Sequence, residues 1–75
     1  MQDVDLNIKV KFRGEEYILK DVLDLCQPGE TIEHVPFECM HSLLFLLREK
    51  RNKNYFYSTD RRYGNWRFIL FGERD

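Results

Sequence analysis

Pro36 to Arg51 reads PFECMHSLLFLLREKR, the one segment long and apolar enough to form a core helix that everything else has to pack against. A helix turning about 100° per residue would place Phe37, Met40, Leu43, Leu44 and Leu47 on one side, with Cys39 and Leu46 widening that side to roughly a half-circle. Such a stripe has to be buried. Pro36 suits a first helical position, where its missing N–H is no loss, and Glu38 favours the positive end of the helix dipole. Arg48, Lys50 and Arg51 load the last turn with cations. Asn52 to Asn54 supply a stop, because Asn tolerates the left-handed conformation at a helix end. The spacing predicts a helix over residues 36–51. Phe45 alone departs from the stripe, projecting with Glu38, Ser42 and Glu49, and an exposed aromatic there suits a helix that faces a partner.

Upstream, Leu6, Ile8, Val10 and Phe12 alternate with Asn7, Lys9 and Lys11, the period of a strand with one face buried and one wet. Arg13-Gly14-Glu15 reads as a turn and Glu16 to Val22 as the returning strand, so a hairpin is expected. Leu23 to Cys26 fits either the end of that strand or a short helical turn. Gln27-Pro28-Gly29-Glu30 matches a type II turn, with Pro second and Gly third. Thr31 to Val35 reads as a short edge strand or an extended approach to the helix. Downstream, Asn54 to Thr59 and Trp66 to Phe71 are β-favouring runs joined by the loop DRRYGN, a second hairpin with Gly64 and Asn65 as turn formers.

The expected architecture is α+β in ββαββ order, two hairpins flanking one central helix that packs on one face of a small, mainly antiparallel sheet. Seventy-five residues make a single domain spanning 1–75, with residues 1–4 and 72–75 expected to fray. Hydrophobic residues at 43% and aromatics at 15% exclude a disordered chain. The acidic N-terminal MQDVDLN has no export pattern and no apolar cluster reaches membrane-spanning length, so a cytoplasmic location is expected. Two cysteines without a secretory signal read as thiols, not as a disulfide framework.

One helix covers one face of a sheet, which leaves the other face exposed. The last strand carries Trp66, Phe68 and Leu70 on one side and Arg67, Ile69 and Phe71 on the other; Tyr55 and Tyr57 likewise oppose Phe56. Whichever set meets the helix, apolar surface remains outside. That surplus points to a non-enzymatic interaction module, self-associating as a homodimer or docking on another protein, with Phe45, Ile69 and Phe71 as candidate contacts.

The alternative is a nucleic-acid interface in the segment 48–67, where seven basic residues outnumber two acidic ones and aromatics lie between them. Its candidate contacts are Arg48, Arg51, Lys53, Tyr55, Tyr57, Arg61, Arg62, Tyr63, Trp66 and Arg67. Charge is lopsided along the chain: residues 1–44 carry four basic and nine acidic groups, residues 45–75 eight and four. The acidic half would repel nucleic acid unless turned away, and complementarity between the halves, or solvated faces, accounts for the asymmetry without any acidic partner.

No catalytic, metal or cofactor site is expected. Cys26, His34, Cys39 and His41 are ligand-type residues, but Cys39 and His41 point roughly 200° apart on a helix and the paired spacings of zinc sites are absent. The same geometry keeps His41 from activating Cys39. No Gly-rich loop followed by Lys and no His-Glu-x-x-His occurs, so the chain is not expected to be an enzyme.

Overall fold

The computed structural model describes residues 5–73. Five strands and two helices follow in the order β1 (Lys9–Phe12), β2 (Glu15–Ile18), α1 (Leu19–Leu25), β3 (Thr31–Glu33), α2 (Met40–Arg51), β4 (Tyr55–Arg62) and β5 (Asn65–Glu73). The strands form one antiparallel sheet in the order β2-β1-β3-β5-β4. The α+β architecture, with a hairpin on each side of the central helix, is as the sequence indicates.

Both hairpins close with two residues. Arg13-Gly14 and Tyr63-Gly64 all have positive φ (54° and 78°, 52° and 81°), the pairing that matches the right-handed twist of the strands. The second turn is therefore tighter than the expected DRRYGN loop. Asp60, Arg61 and Arg62 belong to β4, and Asn65 begins β5. β5 also runs past Phe71 through Gly72 to Glu73, which lies opposite Tyr55. The remaining residues expected to fray, 1–4 and 74–75, lie outside the described residues.

The returning strand of the first hairpin is shorter than expected. It ends at Ile18, and Leu19 to Leu25 form α1. Leu19, Val22, Leu23 and Cys26 recur at helical spacing and all four are buried. The helix starts without a side-chain cap because Leu19 and Lys20 donate their N–H groups to the carbonyls of Ile8 (2.9 Å) and Leu6 (3.0 Å). Its last carbonyls are met from a distance: Arg51 donates to Leu23 O at 2.9 Å and Arg13 to Leu25 O at 3.1 Å. Leu6 and Ile8 lie outside β1 and pack against the core from its margin.

Thr31–Glu33 is a central strand, not an edge. It lies between β1 and β5, with Ile32 opposite both Phe12 and Phe68. Ahead of it, Glu30 donates to Gln27 O at 3.0 Å across Pro28 and Gly29 (φ 95°), the expected turn.

The central helix begins later than its sequence pattern suggests. Phe37–Cys39 form a 3-10 turn, and the α-helical stretch is Met40–Arg51. Met40, Leu43, Leu44 and Leu47 are buried as expected, but Phe37, before the helix proper, is 60% exposed and lies against Trp66 with ring centroids 4.7 Å apart. Asn52 takes the left-handed conformation (φ 52°, ψ 44°) and stops the helix as its sequence position implies. The core joins these helix residues to Val10, Phe12, Ile32, Tyr55, Phe68 and Leu70 of the sheet, with α1 closing one side.

Candidate interaction surface

Strand register assigns each face of the sheet. Val10, Phe12, Ile32, Phe68 and Leu70 turn to the helices and are buried. Their neighbours make up the open face, where β-pairing aligns Glu16, Lys11, Glu33, Arg67 and Asp60 in one row across all five strands. The charges alternate in sign along it. Lys11 reaches Glu33 at 3.9 Å, Lys9 meets Glu16 diagonally at 3.7 Å, and Arg67 holds Asp60 by two hydrogen bonds of 2.6 and 2.5 Å. Opposite charges facing each other on neighbouring strands stabilise a sheet modestly, whereas like charges would oppose it.

Beyond this row, toward the start of β4, the open face turns apolar. Ile69 sits opposite Thr31 and Ser58, and past it the rings of Phe56 and Phe71 stack at 5.6 Å. The register between Tyr55 and Tyr57 spans one more residue on β5 than on β4. This bulge adds local twist beside Phe71 and Gly72. Phe56 and Phe71 are exposed and Ile69 is half-buried. No described element covers them. The expectation that one helix leaves apolar surface on the far side of the sheet holds for this patch.

Phe45 does not belong to it. It is 62% exposed on α2, which packs on the opposite face of the sheet, so Phe45 cannot share one flat contact with Ile69 and Phe71. Beside Phe45, an open depression at the C-terminal end of α2 is lined by Arg48, Glu49, Asn52, Lys53 and Asn54. The patch instead gains Phe56, which a sequence reading could have found by pairing it with Phe71 on the face opposite Tyr55 and Tyr57.

Most of the basic aromatic segment is engaged in holding the fold together. Arg48 donates twice to Tyr55 O, at 3.1 and 2.8 Å, and Arg51 caps α1 while lying over the Tyr55 ring at 5.8 Å. Tyr55 is buried, which removes it as a base-stacking platform. Tyr57 stacks on Phe68 at 5.2 Å and its hydroxyl hydrogen-bonds His41 Nδ1 at 3.0 Å. Trp66 packs on Phe37, and Arg67 is paired with Asp60. Lys53 is exposed at the end of α2. Arg61, Arg62 and Tyr63 stand at the tip of the second hairpin, with Tyr63 95% exposed.

The acidic and basic halves also meet inside the molecule. Lys50 pairs with Asp24, and Glu33 lies in register with Arg67. Within the acidic half itself, Arg13 grips Glu30 through Nε at 2.7 Å and a terminal nitrogen at 2.9 Å. The Arg13 hydrogen bond holds the Glu30 carboxyl below the usual carboxylate range, with the Gln27 N–H also contributing.

Of the ligand-type residues, Cys26 is fully enclosed, and burial pushes its thiol pKa up to about 11. Cys39 is half-buried, while His34 and His41 are exposed. Among the described residues, no three His, Cys, Asp or Glu side chains gather as a metal would require. No described helix is long and apolar enough to cross a membrane. Comparison of the chain with protein-family models, with curated proteins and with solved structures finds no match.

Proposed function

We propose that this protein is a non-enzymatic interaction module whose docking surface is the open face of the sheet at its β4–β5 end. One observation carries the reading: Phe56 and Phe71 stack on each other beside Ile69 on a face that no described element covers. Stacked aromatics beside an ordered row of charges offer both halves of a protein contact, an apolar centre that gains from desolvation and a polar margin that orients the partner. The ion pairs along the row are already satisfied within the chain, so a partner need not supply their counter-charges.

The test compares proteins retained by the immobilised chain with those retained by a Phe56→Ser, Phe71→Ser double variant and by a Phe45→Ser variant. Partners lost only from the double variant support the sheet face. Partners lost only from Phe45→Ser overturn it in favour of the helix. Nucleic-acid binding is the second reading, supported by the exposed Arg61, Arg62 and Tyr63 at the hairpin tip. It requires oligonucleotide affinity that falls with salt and is abolished by Arg61→Glu with Arg62→Glu.

A further inference from the structure

β4 is an outermost strand, and its hydrogen-bonding groups alternate between β5 and the outside. The direction of that alternation follows from bonds on the far side of β5. Leu70 bonds Gly29 and Glu30, and Trp66 accepts from Val35, so before the bulge residues 66, 68 and 70 of β5 face away from β4 and residues 65, 67 and 69 face toward it. Those odd residues are in register with Arg62, Asp60 and Ser58. The N–H and C=O groups of Tyr57, Thr59 and Arg61 therefore point out of the sheet. The next outward carbonyl, that of Tyr55, is occupied by both Arg48 donors. Among the described residues, the edge is closed at Tyr55 and uncovered over three consecutive outward residues.

We infer that this open edge is the seam of a homodimer, in which two copies pair β4 antiparallel with Thr59 opposite Thr59 of the second copy. Outward groups must meet outward groups, which restricts pairing to registers that set odd residues against odd ones. Centring on Thr59 brings Tyr57 against Arg61 and uses each open residue once, through roughly six inter-chain hydrogen bonds. The intervening pairs set Ser58 against Asp60 and Phe56 against Arg62. Every pair in this register is polar-complementary or brings a guanidinium to an aromatic ring.

The neighbouring registers fail on specific residues. Centring on Asp60 or on Arg61 opposes like charges at the axis. Centring on Ser58 or on Tyr57 demands the Tyr55 groups, whose carbonyl Arg48 already holds. Charged residues on an exposed edge ordinarily discourage pairing with other chains, and here they leave one register open. A twofold pairing of β4 with itself also closes the assembly, since the other edge strand, β2, takes no part in it. Dimerisation through the edge does not depend on the open-face reading, because backbone groups carry it and Phe56 adds only a flanking contact to Arg62. A strand-to-strand seam of this length is small, so the dimer belongs to the weak, transient class of interfaces.

Sedimentation equilibrium from micromolar to millimolar chain tests the seam. The protein is expected to pass from monomer to dimer, and Thr59→Pro to remain monomeric with its fold intact, since that proline removes only an outward N–H. The Phe56→Ser, Phe71→Ser variant is expected still to dimerise, weakened only by loss of the flanking Phe56–Arg62 contacts. Register is tested separately in a Cys39→Ser background: Thr59→Cys should form a disulfide-linked dimer under a glutathione buffer, because opposed residues of this kind lie about 5.5 Å apart at Cα. Tyr63→Cys, beyond the seam, should not. The Thr59→Cys cross-link decides the matter even if Thr59→Pro fails to fold. A parent that stays monomeric throughout, together with Thr59→Cys cross-linking no faster than Tyr63→Cys, overturns the proposal. A dimer that survives Thr59→Pro but is lost in the double phenylalanine variant also overturns the edge and assigns self-association to the open face.

Discussion

Arg67 and Asp60 face each other across β5 and β4 in a two-pronged ion pair, Nε to Oδ1 at 2.6 Å and a terminal nitrogen to Oδ2 at 2.5 Å. The fork geometry uses the planar guanidinium to hold a carboxylate that is itself in register on the neighbouring strand, so the pair reinforces β4–β5 alignment. It also ends the alternating row of charges at the sheet margin. The hydrogen bond from Arg67 keeps the Asp60 carboxyl below its ordinary range, as that from Arg13 does for Glu30.

Acid sensitivity follows from these two carboxylates. Each binds a proton less tightly in the folded chain than in the unfolded one, so its contribution is fully present above the ordinary carboxylate pKa of about 4 and is lost as pH falls through the lower folded value. Denaturant midpoints measured from neutral pH downward should fall for the parent. An Asp60→Asn, Glu30→Gln variant should start lower and lose less over the acid range.

The two hairpin glycines should be costly to replace although space is available. A Cβ at Gly14 or Gly64 would meet no heavy atom within 4 Å, so the penalty is conformational and comes from φ of 78° and 81°. Gly14→Ala and Gly64→Ala should each lose about 1–2 kcal/mol in urea unfolding. Tyr63→Asn, which suits the left-handed position better, should be neutral or slightly stabilising.

Neighbouring positions on α2 should behave oppositely. Leu47 is fully buried and Leu47→Ala should cost about 2–5 kcal/mol, while Leu44→Glu should abolish cooperative unfolding by placing a charge in the core. Phe45→Ser, at an exposed position, should stay within about 0.5 kcal/mol of the parent.

The two thiols should react at different rates. Alkylation at pH 8 followed by intact mass should label Cys39 first, because Cys26 is enclosed with its pKa near 11. Burial also raises the Cys39 thiol, but that side chain is only half-buried, so its labelling should precede unfolding. Cys26 labelling should track the unfolded fraction as denaturant is added.

Arg48 should matter to stability through its bonds to one carbonyl. Replacing it by Met removes two charge-assisted hydrogen bonds to Tyr55 O and should cost about 1–3 kcal/mol by thermal unfolding. Arg48→Lys, which cannot reproduce the fork, should recover only part of that loss.

Local pattern was enough to read a helix over residues 36–51, of which 40–51 is α-helical, together with its Asn52 stop, both hairpins, the Pro28-Gly29 turn and the surplus of apolar residues on β5. These are local or periodic features, dictated by which side chains recur every two or every 3.6 residues and by which residues accept unusual backbone angles. Helix α1 was legible too, in the spacing of Leu19, Val22, Leu23 and Cys26, but the β-favouring run before it masked the change of period. Contacts formed on folding place Thr31–Glu33 at the centre of the sheet, keep Phe37 outside the core, and engage Arg48, Arg51 and Arg67 within the chain. They also set Phe45 and Phe71 on opposite sides of the molecule. Strand order and the partners of long side chains depend on contacts between residues far apart in sequence, and no local periodicity encodes them.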